Sequence, residues 1–201
     1  MLDRFVRPLI DPPLHLLARV AIAAGLRANT VTVLGFVVGM AGVPLVGIGA
    51  FEWALVPLLL SRVLDGLDGA IARLRGPTDF GGYLDIVCDF IFYAAFAFAF
   101  ALADPANALW AGLLLVSFMG TGSSFLAWAI LAAKRGLESQ AQGRKSFFYS
   151  AGLIEGSETI AFLVVCCLLP QYFRELAIGF SALCALTVAG RIVAARADFG
   201  P

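Results

Sequence analysis

The chain has 201 residues, 61% of them hydrophobic and 14% charged, with a formal net charge of zero and a mean hydropathy of +0.91. A soluble domain is usually about 45–50% apolar and about 25% charged, so the composition excludes an ordinary soluble globule and predicts an integral membrane protein. A neutral chain with few, clustered basic residues gives no global field for nucleic acid.

Taken in order, Leu2, Phe5, Val6, Leu9 and Ile10 fall at helical spacing, with Asp3, Arg4 and Arg7 elsewhere on the wheel. Asp11-Pro12-Pro13 is expected to interrupt that helix, and 14–26 resumes it beside Arg19 and Arg27. Residues 1–28 therefore read as an amphipathic interfacial segment lying on the membrane, and 29–201 as a membrane domain. The N-terminus lacks the separate apolar run and small-residue cleavage site of a signal peptide. His15, the only histidine, is expected at the surface or facing headgroups, without a catalytic role.

Asn29 and Thr30 suit the cap of a first span over 31–49. Its Gly35, Gly39 and Gly42 form a small-residue face that lets another helix come close. Further spans are expected over 53–73, 82–103, 107–133, 147–170 and 174–195, with a polar loop at 134–146. The expected fold is thus all-α, with six transmembrane helices preceded by the interfacial one. Cys88, Cys166, Cys167 and Cys184 sit in apolar runs without metal-ligand spacing and read as small core hydrophobes.

Basic residues alternate between the two sides of this arrangement. Arg4, Arg7, Arg19, Arg27, Arg73, Arg75, Lys134, Arg135, Arg144, Lys145, Arg191 and Arg196 fall on one set of loops and ends, and Arg174 alone on the other. The positive-inside rule then puts both termini, and the connection between the second and third spans, in the cytoplasm.

That connection holds the chemistry. Asp65 and Asp68 are three apart, Asp85 and Asp89 four apart, so each pair projects from one helix face. The Gly/Pro-rich stretch 76–82 reads as the turn of a helical hairpin that brings the two faces together. Four convergent carboxylates make an oxygen cage for one or two hard divalent cations. One aspartate at mid-bilayer costs roughly 2.5–3.5 kcal/mol, so such a set marks a functional site and demands a counter-charge.

Asp65-x2-Asp68-Gly69-x2-Ala72-Arg73, seven residues, then Gly81-x3-Asp85-x3-Asp89 resembles the signature of the CDP-alcohol phosphatidyltransferase family, with all eight fixed positions at the family's spacing. Asn29-Thr30-Val31-Thr32, the interfacial helix and the six spans are family-like too, although Ala28 stands where many members have proline. The runs Lys145-Ser146-Phe147-Phe148-Tyr149 and Glu155-Gly156-Ser157-Glu158-Thr159 are similar to those of short bacterial inner-membrane members.

The resemblance implies transfer of a phosphatidyl group from CDP-diacylglycerol to a small alcohol with release of CMP. It further implies Mg2+ or Mn2+, two ions, a homodimer among membrane lipids, and an active site at the cytoplasmic face of a bacterial inner membrane. Asp65, Asp68 and Asp85 would hold one cation, and Asp89 would help hold a second and serve as general base. Asn29, Thr32, Asp68, Gly69, Ala72 and Arg73 would contact nucleotide or diphosphate.

The acceptor pocket is less legible. Glu155 and Glu158, three apart in the fifth span, are expected to share a face and favour a neutral polyol or an amino-alcohol. Lys134, Arg144, Lys145 and Arg191 flank the same mouth and suit a phosphate or carboxylate, or equally topology and anionic lipid. Two other classes compete: an integral prenyltransferase, whose aspartate motifs normally lie far apart, and a cation transporter, whose carboxylates belong near mid-membrane on broken helices.

Overall fold

Prolines, glycines and polar caps set the helix boundaries of this computed structural model, which describes residues 3–136 and 154–200. The helices are α1 (Asp3–Ala23), α2 (Ala28–Met40), α3 (Gly42–Gly47), α4 (Phe51–Arg75), α5 (Asp79–Ala103), α6 (Ala108–Lys134), α7 (Gly156–Leu168) and α8 (Phe173–Phe199). No strand occurs among the described residues. Among the described residues, four stretches are long and apolar enough to cross a membrane: Ala28–Gly47, Asp79–Ala103, Pro105–Lys134 and Pro170–Phe199. α4 matches them in length with 25 residues but carries Arg62, Asp65 and Asp68 inside it, and α7 has 13 residues. Lys145, Arg144 and the aromatic run 147–149 lie outside the described residues.

α1 corrects one expectation: it continues unbroken through Asp11-Pro12-Pro13. Proline's φ is already helical, so the chain can keep turning with the missing N–H bonds left out. Leu14, Ala18 and Ala21, at helical spacing, are buried together with Val31 of α2 and Ala70 and Ile71 of α4. α1 is therefore docked on the bundle as well as amphipathic.

Pro44 lacks the N–H that would bond the Met40 carbonyl, and the first apolar stretch divides there into α2 and α3. The glycine face works as expected. A Cβ at Gly39 would come within 2.9 Å of the Phe92 ring and 3.1 Å of Ser61 Cβ, and one at Gly42 within 2.9 Å of Phe96. α2 consequently packs tightly against both α4 and α5.

α5 touches α2, α3, α6 and α7. Phe92, Phe96 and Phe100, four apart, are fully buried. Phe100 stacks on Phe173 of α8 at 4.4 Å, and Phe162 of α7 stacks on Phe180 of α8 at 4.1 Å. Lipid is as apolar as these rings, so shape-matched packing and not water exclusion favours the bundle here. Cys166, Cys167 and Cys184 are buried thiols in that core, as expected. At one end, the Arg135 guanidinium donates to the carbonyls of Asp198 (2.9 Å) and Phe199 (3.1 Å), supplying cation and donors to the carboxyl end of α8.

Candidate active site

The α4–α5 connection is shorter than the Gly/Pro pattern predicts. Gly76 ends α4 with φ of 96°, a conformation that favours glycine. Thr78 then caps α5, its hydroxyl accepting from the Gly81 amide at 3.0 Å. The turn is Gly76–Thr78, and Gly81 and Gly82 belong to the first turn of α5. Gly81 permits a close approach: a Cβ there would lie 3.0 Å from Asn29 Oδ1 and 2.9 Å from Thr78 Oγ1.

Behind this turn α2, α4 and α5 enclose a cleft of about 410 Å3. Asn29 and Thr32 line it from α2, Asp68, Gly69 and Ala72 from α4, and Asp85 from α5. Five of the six positions expected to contact nucleotide or diphosphate thus converge. The sixth, Arg73, is exposed and sits beside Gly69, where an added Cβ would meet its Nη1 at 3.4 Å. Arg27 and Arg75, which the sequence offered only as topology-setting charges, also line the cleft. Arg75 braces the site, donating to the Ile22 and Leu26 carbonyls at 3.3 and 3.4 Å.

Deeper in, Thr32 and Asp85 border both the cleft and a smaller hollow walled by Arg62, Asp65, Cys88 and Asp89. Asp65, Asp85 and Asp89 each present a carboxylate oxygen within 4.8 Å of the others. Asp68 is 6% exposed, and its Oδ2 is buried without a hydrogen-bond partner. Mutually close carboxylates and an orphaned buried oxygen form an all-oxygen donor set that fits Mg2+ or Mn2+. At 1.5 Å per residue, Asp89 lies roughly 15 Å along α5 from its amino end.

The counter-charge demanded by four aspartates is Arg62, which the motif did not reveal. Its Nη1 lies 2.8 Å from Asp89 Oδ1 and 3.5 Å from Asp65 Oδ1. Its Nε donates to Ser61 Oγ at 3.2 Å, and its guanidinium lies over the Phe92 ring at 4.8 Å. The other oxygen of Asp89 accepts from the Tyr93 hydroxyl at 3.1 Å. The signals were present: a lone arginine well inside an apolar helix three residues before Asp65, and a tyrosine four after Asp89.

Of the expected acceptor residues, Lys134, Glu155, Glu158 and Arg191 are described, and these do not line the cleft. Glu155 precedes α7 with extended backbone (φ −130°, ψ −169°) and forms a capping box with Glu158. Glu158 Oε2 accepts from the Glu155 amide at 3.2 Å. The pair does not share a helix face, because the first glutamate satisfies α7's exposed amides from outside the helix. Arg191 donates to the Thr121 carbonyl at 2.7 Å and Ser124 Oγ at 3.4 Å, holding α8 to α6. Lys134 ends α6 in the open. The amino end of α7 nonetheless adjoins the site, since a Cβ at Gly156 would lie 3.6 Å from the Tyr93 hydroxyl.

Helical bundle, embedded carboxylates and cleft together define a membrane enzyme with a metal-competent acidic site. The sequence model of the family described as CDP-alcohol phosphatidyltransferase matches residues 26–193, and the chain belongs to that family. Over 193 residues it is 49% identical to the inner membrane protein YnjF of Escherichia coli strain K12, covering 96% of this chain and 94% of that one. It is 35% identical over 117 residues to phosphatidylinositol phosphate synthase of Mycobacteroides abscessus, spanning 57% of this chain and 47% of the relative. The fold matches the crystal structure of Mycobacterium tuberculosis phosphatidylinositol phosphate synthase with CDP-DAG bound, with a TM-score of 0.65, 22% identity and 90% coverage of each chain. The protein is a CDP-alcohol phosphatidyltransferase, and the prenyltransferase and transporter readings fall away.

Proposed function

We propose that this enzyme transfers the phosphatidyl group of CDP-diacylglycerol to a hydroxyl of a polyol, in the membrane plane. The observation that carries the reading is the cluster of Asp65, Asp85 and Asp89 beside a cleft lined by Asn29, Thr32, Asp68, Gly69 and Ala72. Small residues at 69 and 72 leave room for a nucleotide against α4. Asp65, Asp68 and Asp85 would hold one divalent ion, with Asp89 contributing to a second. Held by these carboxylates, Mg2+ or Mn2+ would supply the positive charge that neutralises a diphosphate and stabilises a departing CMP. Asp89 takes the proton of the acceptor hydroxyl; the hydroxyl oxygen bonds the lipid-linked phosphorus, and the bond to CMP breaks.

The capping role of Glu155 and Glu158 removes their support for a polyol and an amino-alcohol alike, and the polyol rests on relatives named as inositol phosphate lipid synthases. For a six-span bundle the distribution of Arg and Lys supports both ends and the cleft on the cytoplasmic side, and the relative named as an inner membrane protein supports a bacterial inner membrane. The homodimer follows from family resemblance alone.

The test is release of labelled CMP from CDP-diacylglycerol by purified protein with Mg2+ or Mn2+. The acceptors are inositol, inositol phosphate, glycerol, glycerol 3-phosphate, serine, choline and ethanolamine. A polyol or its phosphate should yield lipid product and CMP. Turnover with serine or an amino-alcohol alone would overturn the acceptor class, and no turnover with any would overturn the donor.

A further inference from the structure

Asp89 is held from both sides, and its two partners belong to different helices. One oxygen receives Arg62 Nη1 at 2.8 Å across the gap from α4, and the other receives the Tyr93 hydroxyl at 3.1 Å from one turn along α5. Arg62 is itself fixed. Its guanidinium has the Phe92 ring beneath it at 4.8 Å, and its Nε is tied to Ser61 at 3.2 Å. Its side chain is 16% exposed. An arginine anchored this way has little rotamer freedom left to lose, so its fork acts as a preorganised clamp.

We propose that Arg62 and Tyr93 are positioning residues for Asp89, orienting the carboxylate toward the acceptor hydroxyl. This rests on Asp89 as general base. Arg62 also lies 3.5 Å from Asp65, but the clamp stands apart from the cleft: Asp68, Gly69 and Ala72 line the cleft, whereas Arg62 and Asp89 border only the inner hollow. Losing the clamp should therefore slow turnover while CDP-lipid still binds.

The test is a cycle of Arg62→Gln, Asp89→Asn and the double variant, with Arg62→Lys and Tyr93→Phe alongside, all in the full-length protein. Thermal protection by CDP with Mn2+ reports binding and folding independently of activity. Removing an orienting partner typically costs about 10- to 100-fold, and that is the drop in kcat expected for Arg62→Gln, with KM for CDP-diacylglycerol within about threefold. Arg62→Lys should recover part of the loss, because the charge remains while the fork is lost. Tyr93→Phe should lower kcat by a smaller factor. In the Asp89→Asn background, Arg62→Gln should cost little more, since groups acting as a unit are non-additive.

Near-wild-type kcat in Arg62→Gln, or an equal loss with and without Asp89, overturns the clamp while leaving Asp89 as base. If Arg62→Gln fails to fold, an Arg62→Lys variant that binds CDP normally and turns over at the wild-type rate does the same. A fully active Asp89→Asn overturns the base assignment itself, and the clamp with it.

Discussion

Asp68 differs from the other motif aspartates in exposure and partners, and the difference bears on what it binds. It faces the cleft between α2, α4 and α5 with a buried, unpartnered Oδ2, whereas Asp89 has both oxygens engaged by protein. An unpaired buried carboxylate oxygen is costly, and a bound cation would relieve that cost. Asp68→Ala should weaken Mn2+-dependent CDP binding by at least about 10-fold, measured by titration calorimetry. Unchanged affinity would remove Asp68 from the ligand set. Asp89→Asn should act oppositely, retaining most nucleotide binding and losing turnover.

Among the elements, α7 shows how a motif-like spacing can serve structure. Glu155 and Glu158 close a capping box, and α7 then stacks Phe162 on Phe180 of α8. Replacing a capping side chain costs roughly 1 kcal/mol, so Glu158→Ala should lower thermal stability modestly. It should leave acceptor preference unchanged in the seven-compound panel; a switch in preference would return the glutamate to the acceptor pocket. The α4–α5 hairpin is the opposite case, since its short turn of Gly76, Pro77 and Thr78 directly sets the register of the catalytic helices. The spacing of its aspartates put each pair on one helix face, because three- and four-residue intervals are the local repeat of a helix, and in the structure Asp65, Asp85 and Asp89 come within 4.8 Å of one another.

At the scale of the molecule, three elements converge on one cleft, so ligand binding should stiffen the assembly as a whole. A ligand at about 100 times its Kd stabilises the native state by about 2.7 kcal/mol. CDP should therefore raise the melting temperature of the solubilised protein when Mg2+ or Mn2+ is present and lose that effect on chelation with EDTA. Equal protection with and without metal would argue against a metal-bridged diphosphate.

Sequence by itself determined the class of protein, the helix-rich membrane architecture, the small-residue face of α2 and the aspartate site, because each is written in composition or in spacing within one helix. It also held the family signature across eight positions. Tertiary structure decided the rest. Arg62 meets Asp89 across 27 residues of sequence, a pairing that depends on how α4 and α5 are rotated about their axes. The tie of Arg191 to Thr121 and Ser124 of α6 was likewise settled by neighbours. A periodic pattern reports which residues share a face, but only packing determines what that face meets.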